Sequence, residues 1–187
     1  PEELKKNITK KTKGVIVVHL TGLPCNINEI KSIINRKKIS LIEDCAHSLG
    51  TNFKSKHVGN FGISGCFSFY PTKQITTGEG GAVITNDKSF YKKIKKLKAF
   101  GIDKDLSERK KQGEYDVIDL GFNYRLTDFQ ALLGYRQLKL YKKNLGKRKK
   151  IAKIYIKKFE NKKNIVFPNY KNNSSFFIFP ILVSKRD

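Results

Sequence analysis

The hydrophobic pattern alternates between short β-branched runs and stretches of helical spacing. "GVIVVHL" (14–20) is too short for a helix and rich in β-branched residues, which predicts a buried strand. Asn26 opens a helix signature, with Glu29 three residues on and Ile27, Ile30, Ile33 and Ile34 on one face. "ISLIEDCA" (39–46) is the next predicted strand. Strand, helix and strand in this order suggest a βαβ unit with parallel strands in a covered sheet. "GCFSFY" (65–70) and "GAVITN" (81–86) supply a third and a fourth strand. A helix follows, with Phe90, Tyr91, Ile94 and Leu97 on one side and lysines on the other. Residues 101–121 are polar and loop-like. Thr127 and Gln130 then form a capping box for a long helix, expected to break near Gly146 and to continue through Ile151, Ile154, Tyr155 and Phe159. "FFIFPILV" (176–183) predicts a late strand, and the polar "ENKKN" before Pro168 suggests a domain boundary near 160–170. The pattern as a whole is α/β.

Composition narrows this. With 187 residues and 39% hydrophobic content, the chain can bury a substantial core. It contains no apolar run long enough to cross a bilayer, so no membrane partner is expected. It begins at Pro1 and contains no methionine, which suggests an internal piece of a longer reading frame. Cys25, Cys45 and Cys66 are widely spaced and odd in number. They read as small buried residues of strands in a reduced, cytoplasmic protein, with no metal site expected. The net charge of +23 raises nucleic acid as a partner. Yet only six of the 39 basic residues are arginine, and the lysines fall on polar helix faces. Solvated surface is the better reading, and nucleic acid is not expected. Such a surface would still attract a nucleotide diphosphate.

Candidate chemistry gathers in "GCFSFYPTKQITTGEGGAVITND" (65–87), where Lys73 stands between an aromatic strand and a glycine-rich turn. In open α/β sheets ligands bind beyond the carboxyl ends of strands. Asp44, Ser68 and Lys73 all fall at or near such ends. Alternation puts Cys66, Ser68 and Tyr70 on one face and Phe67 and Phe69 on the other, and Pro71 ends the strand. Taken singly, Asp44 reads as a cap, Ser68 as a core hydroxyl and Lys73 as a solvated amine. Gly78-Glu79-Gly80-Gly81 reads as a tight turn needing positive φ, since it matches neither phosphate-loop pattern. Taken together, the three polar groups suit pyridoxal phosphate. The amine can join the cofactor's aldehyde, the carboxylate can keep its pyridine nitrogen protonated, and a hydroxyl with backbone N–H groups can bind its phosphate.

"LIEDCAHSLGTNFKSKHVGNFGISGCFSFYPTKQITTGEGGAVITND" resembles the DegT/DnrJ/EryC1/StrS family of nucleotide-sugar aminotransferases. So do "VIVVHLTGLPCNINEI" before it and "GFNYRLTDFQALLGYRQLKLYKKNLGKRKKIAKIY" after it. The resemblance implies a pyridoxal-phosphate transferase of fold type I, like aspartate aminotransferase. Residues 1–160 would be part of the large domain with its mainly parallel sheet and the long connecting helix. Residues 161–187 would begin the small C-terminal domain. It implies Lys73 as the Schiff-base lysine, Asp44 as partner of the pyridinium nitrogen and Ser68 as a phosphate ligand. His47 would lie near the ring's phenolic oxygen. Asn123 would reach the cofactor phosphate of the neighbouring subunit in a homodimer, and Arg125 would be structural. The implied reaction moves an amino group from an amino acid, glutamate above all, to a nucleotide-linked keto-sugar, for surface polysaccharide or glycosylated products. Some family members are sugar 3-dehydratases that replace the lysine with histidine; the retained Lys73 favours transamination. A non-catalytic regulatory relative and a structural gene piece are further alternatives. Full family members are about twice this length, so the isolated chain is expected to lack a complete site.

Overall fold

The computed structural model describes residues 1–104, 106–168, 170 and 173–184. A short helix α1 (Glu2–Asn7) precedes strand β1 (Gly14–Val18) and helix α2 (Ile27–Ile34). Strand β2 (Ser40–Asp44) follows, then a small hairpin of β3 (Asn52–Phe53) and β4 (Lys56–His57). Next come β5 (Ser64–Ser68), β6 (Gly81–Ile84), α3 (Lys88–Leu97) and the long α4 (Asp128–Phe159). Strands β7 (Ile165–Val166) and β8 (Leu182–Val183) pair near the end.

The main sheet has the order β1-β2-β5-β6. β1, β2 and β5 run parallel, and β6 returns antiparallel to β5. The βαβ order with parallel strands therefore holds for β1, α2 and β2, but the expected covered sheet does not, since Ile16 and Val18 are exposed on the face of β1 away from α2. α2 buries Ile27, Ile30 and Ile34. The last two pack with Val17, Ile39 and Leu41 against one sheet face. Each such side chain is worth about 1.5–3 kcal/mol when fully removed from water. The Asn26–Glu29 signature is realised between side chains, Asn26 Nδ2 donating to Glu29 at 2.9 Å, rather than as a backbone cap. A second cluster of Ile27, Cys45 and Val58 lies under Phe53, Phe61 and Phe67.

Two expectations are corrected. α4 runs unbroken through Gly146 for 32 residues. Its Thr127–Gln130 capping box forms as expected, and a long polar helix tolerates one glycine at a cost of about 1 kcal/mol. The strand expected at 176–183 shrinks to Leu182–Val183. Phe176 adopts a left-handed φ of 48°, which turns the chain. The Ile178 amide instead donates to the Thr21 carbonyl in the loop after β1. The β3–β4 hairpin had no sequence signal, because its strands are two residues each and Lys54, at φ 55°, supplies a turn usually given to glycine or asparagine. Among the described residues, no helix is long and apolar enough to cross a membrane.

Candidate active site

Parallel register places Asp44 beside Val18 on one side and Cys66 on the other, at the carboxyl end of β2. Side chains alternate, so Asp44, Cys66 and Ser68 share one face of the sheet while Glu43 and Phe67 take the other. The Asp44 carboxylate accepts the Ala46 N–H at 2.9 Å, which starts the turn carrying His47. Ser68 ends β5 opposite Gly81, and its hydroxyl accepts the Tyr70 N–H at 3.3 Å. The Lys73 amide then donates to the Tyr70 carbonyl at 2.9 Å, closing a turn around Pro71. The glycine-rich segment beyond it is the expected tight turn, with φ 79° at Gly78 and 147° at Gly80.

These turns bring Lys73 and His47 together around an aromatic ring, with Asp44 close enough to act on the His47 charge. The Lys73 amine lies 5.3 Å from the centre of Phe177, and the His47 ring stacks on the same phenyl at 4.6 Å. Lys73 is half-buried and makes no salt bridge among the described residues. Burial and the Lys73 charge push the His47 imidazole below its usual pKa, against an opposing pull from Asp44. His47 Nδ1 is buried and has no hydrogen-bond partner among the described residues. Burial also raises the Cys66 thiol on this face and, to about 12, the Cys45 thiol on the other, so both are neutral at working pH.

Phe177 arrives from the segment after residue 173, and nothing in the local pattern singles it out. Its placement depends on Gly22, whose φ of 94° and missing Cβ let the segment 174–177 approach. A Cβ there would fall 2.5 Å from the Ser175 hydroxyl. The Gly22 carbonyl accepts from the Thr51 hydroxyl at 2.7 Å, the Ser174 hydroxyl at 2.9 Å and the Ser175 amide at 3.1 Å. The Ser175 hydroxyl donates to the His47 carbonyl at 3.3 Å.

Asn123 stands in a different group. It bridges to Ala99 and lines a groove of about 860 Å³ between β5–β6, α3 and the start of α4. That groove also takes in Cys66 and Gly81, the register partners of Asp44 and Ser68. Arg125 lies on the same groove with its guanidinium 5.0 Å from the centre of the Phe100 ring, a packing contact. The cysteines are all free: Cys66 lies in β5 as expected, Cys45 just beyond β2, and Cys25 in the loop before α2.

Beneath the sheet, His19 Nε2 lies 3.0 Å from Glu43, and both are fully buried. With the Cys45 thiol they form the one cluster of metal-ligating type among the described residues, within 4.8 Å of one another. Both Glu43 oxygens are already taken by backbone N–H groups of Gly59, Phe61 and Gly62, at 2.7, 2.6 and 2.8 Å. His19 Nδ1 accepts the Cys25 N–H at 3.1 Å. A cation would have to displace these donors, so the cluster reads as a closed hydrogen-bond network.

The profile of the DegT/DnrJ/EryC1/StrS aminotransferase family matches residues 1–187. A UDP-4-amino-4,6-dideoxy-N-acetyl-beta-L-altrosamine transaminase of Campylobacter jejuni is 41% identical over 91% of this chain and 44% of its own. The GDP-perosamine synthase of Escherichia coli O157:H7 is 39% identical over 83% of this chain and 41% of its own. Among solved structures, Helicobacter pylori PseC, an aminotransferase involved in the biosynthesis of pseudoaminic acid, superposes with a TM-score of 0.89 at 32% identity. It is matched over 98% of this chain and 48% of that one. The E. coli GDP-4-keto-6-deoxy-D-mannose-3-dehydratase with bound hydrated PLP superposes at 0.88 and 30% identity, over 99% of this chain and 50% of that one. The chain thus spans about half the length of the curated relatives it matches. It has the fold type I architecture of these neighbours and belongs to the DegT/DnrJ/EryC1/StrS aminotransferase family.

Proposed function

We propose that the whole protein is a pyridoxal-phosphate-dependent aminotransferase that moves an amino group from an amino acid, glutamate above all, to a nucleotide-linked keto-sugar. The observation that carries this reading is the meeting of Lys73, His47 and Asp44 beyond the carboxyl ends of β2 and β5. The residues present fit the cofactor. Among the described residues, His47 Nδ1 is a buried polar atom without a partner, the Lys73 amine has no carboxylate partner, and Asp44 keeps acceptor capacity beyond its bond to Ala46. Such leftover capacity is what a bound polar ring would use.

Lys73 would hold the cofactor's aldehyde carbon and, once displaced, carry a proton to and from the substrate carbon. Asp44 would face the ring nitrogen, His47 the phenolic oxygen and Ser68 the phosphate. When bound, the cofactor supplies an electron-accepting ring. Phe177 shields the amine from water on one side. Asn123, on its own groove, suits a contact to the cofactor phosphate of a second subunit, which would make the working enzyme a homodimer. Residues 1–160 would belong to the large domain and 161–187 to the start of the small one. The product would serve polysaccharide or glycoside assembly.

A sugar 3-dehydratase is the second reading, favoured by the structural likeness to the E. coli enzyme. Lys73 separates the two. Borohydride reduction of the full-length protein with pyridoxal phosphate, followed by peptide mapping, should place an adduct on Lys73. Glutamate with UDP- or GDP-linked 4-keto-6-deoxy sugars should yield an amino sugar. A colourless protein in excess cofactor, with no modified peptide, overturns the reading; a deoxygenated sugar without amino transfer selects the dehydratase.

A further inference from the structure

Two ionisable side chains lie fully buried under the candidate site, and no step above uses them. Among the described residues, the Glu43 carboxylate receives four donors and no formal cation. The tautomer of His19 follows from its partners. Nδ1 accepts the Cys25 N–H, so it carries no proton, and Nε2 must carry the one that points at Glu43. The pair is therefore a neutral imidazole donating to a buried carboxylate. Through it three segments are joined: the loop after β1 by His19 and Cys25, β2 by Glu43, and residues 59–62, which lead into β5, by their amides.

Glu43 immediately precedes Asp44 in β2, with the two side chains on opposite faces. Whatever fixes Glu43 from below fixes the direction of Asp44 above. The 59–62 segment likewise sets where β5 starts, and hence where Ser68 and Lys73 emerge. We propose that His19 and Glu43 are a positioning pair that holds Asp44 in line with the cofactor ring nitrogen and sets the register of β5 beside it. This rests on the reading of Asp44 given above. A buried anion satisfied only by directional N–H donors tolerates little displacement, because each lost donor leaves charge uncompensated.

The test uses the full-length enzyme in wild-type form and as His19→Ala, His19→Gln and Glu43→Gln. Three quantities are read: the dissociation constant of pyridoxal phosphate, the pH midpoint of its visible absorbance, and KM against kcat. His19→Ala should weaken cofactor binding at least tenfold and move the absorbance midpoint by half a pH unit or more. His19→Gln, which retains a donor to Glu43, should recover most of both. Glu43→Gln turns an amide N–H2 toward backbone donors and should be at least as severe as His19→Ala.

Linkage supplies a measurement that needs no variant, since a cofactor held by Asp44 must reciprocally steady the pair. Amide exchange at Cys25, Gly59, Phe61 and Gly62 should slow at least tenfold when wild-type apoenzyme is loaded. Variants that lower the unfolding temperature but keep affinity and absorbance midpoint within twofold of wild type overturn the proposal. So does unchanged exchange at those amides on loading. A wild-type protein that takes up no cofactor fails the underlying reading instead, and with it this one.

Discussion

Tyr141 links α4 to the turn that carries His47, and removing its hydroxyl measures that link. The side chain is 8% exposed, and its hydroxyl donates to the Leu49 carbonyl. Burial pushes the phenol above its usual pKa, against a weaker opposing pull from Arg148, so it is a neutral donor at any working pH. The ring edge rests on Gly50, where a Cβ would lie 2.7 Å from the hydroxyl. Tyr141→Phe keeps the ring and its apolar burial, and removes one neutral hydrogen bond. Such a bond contributes about 1 kcal/mol net, and a buried acceptor left alone costs about 1–3 kcal/mol. Leu49 is only half-buried, which puts the expected loss near the low end, about 1–2 kcal/mol. Urea unfolding of the full-length apoenzyme should show it as a lower midpoint at unchanged slope. Hydrogen exchange adds a local reading, because the Ser48 and Thr51 amides donate within the same turn, to Cys45 and Ser48 carbonyls. Both should exchange faster in the variant. A midpoint unchanged to within about 0.3 kcal/mol, with unchanged exchange at Ser48 and Thr51, would show that α4 does not anchor this turn.

Gly146 sits mid-helix where an added Cβ meets nothing within 4 Å, so Gly146→Ala should stabilise by about 0.5–1 kcal/mol; a destabilised variant would mean that α4 breaks there after all. Burial raises the Glu43 carboxyl, but His19 and three backbone N–H groups outweigh it and hold the folded pKa below its usual value. The unfolded chain then binds more protons than the folded one as pH drops through about 4.3. Stability should fall across that window down to the folded pKa, and Glu43→Gln, read by unfolding temperature against pH, should flatten the slope. His47 is held below its usual pKa by burial first and by Lys73 second. Only three histidines are present, so proton NMR can follow each ring, and Lys73→Met in apoenzyme should move the His47 midpoint upward. An unmoved midpoint would leave burial as the sole cause.

The sheet was legible because β1 and β2 bury residues of one face and their apolar runs carry that fact in sequence. The candidate site was legible in part, since Asp44, Ser68 and Lys73 follow strand ends and a strand end is where an α/β sheet meets its ligand. What the sequence hid depended on tertiary contact. Phe177 looked like one of several aromatics in a strand; a left-handed Phe176 and a glycine at position 22, some 150 residues away, bring it against Lys73. The Glu43–Asp44 pair shows the same limit more sharply. Adjacent carboxylates in "SLIED" must face opposite sides, and local pattern cannot say which one meets the core. One signal was available. Val17 and Glu43 are register partners, and His19 lies two residues beyond Val17, so two ionisable side chains fall on the same face of neighbouring parallel strands. A covered face admits such a pair only if the two satisfy each other, and an ion pair or hydrogen bond between His19 and Glu43 could have been inferred from β1 and β2 alone. Its further donors, from residues 59–62, could not, because backbone amides carry no side-chain signature. The most restrictive part of this site is therefore made of groups that every residue possesses, and only the folded chain brings them to one carboxylate.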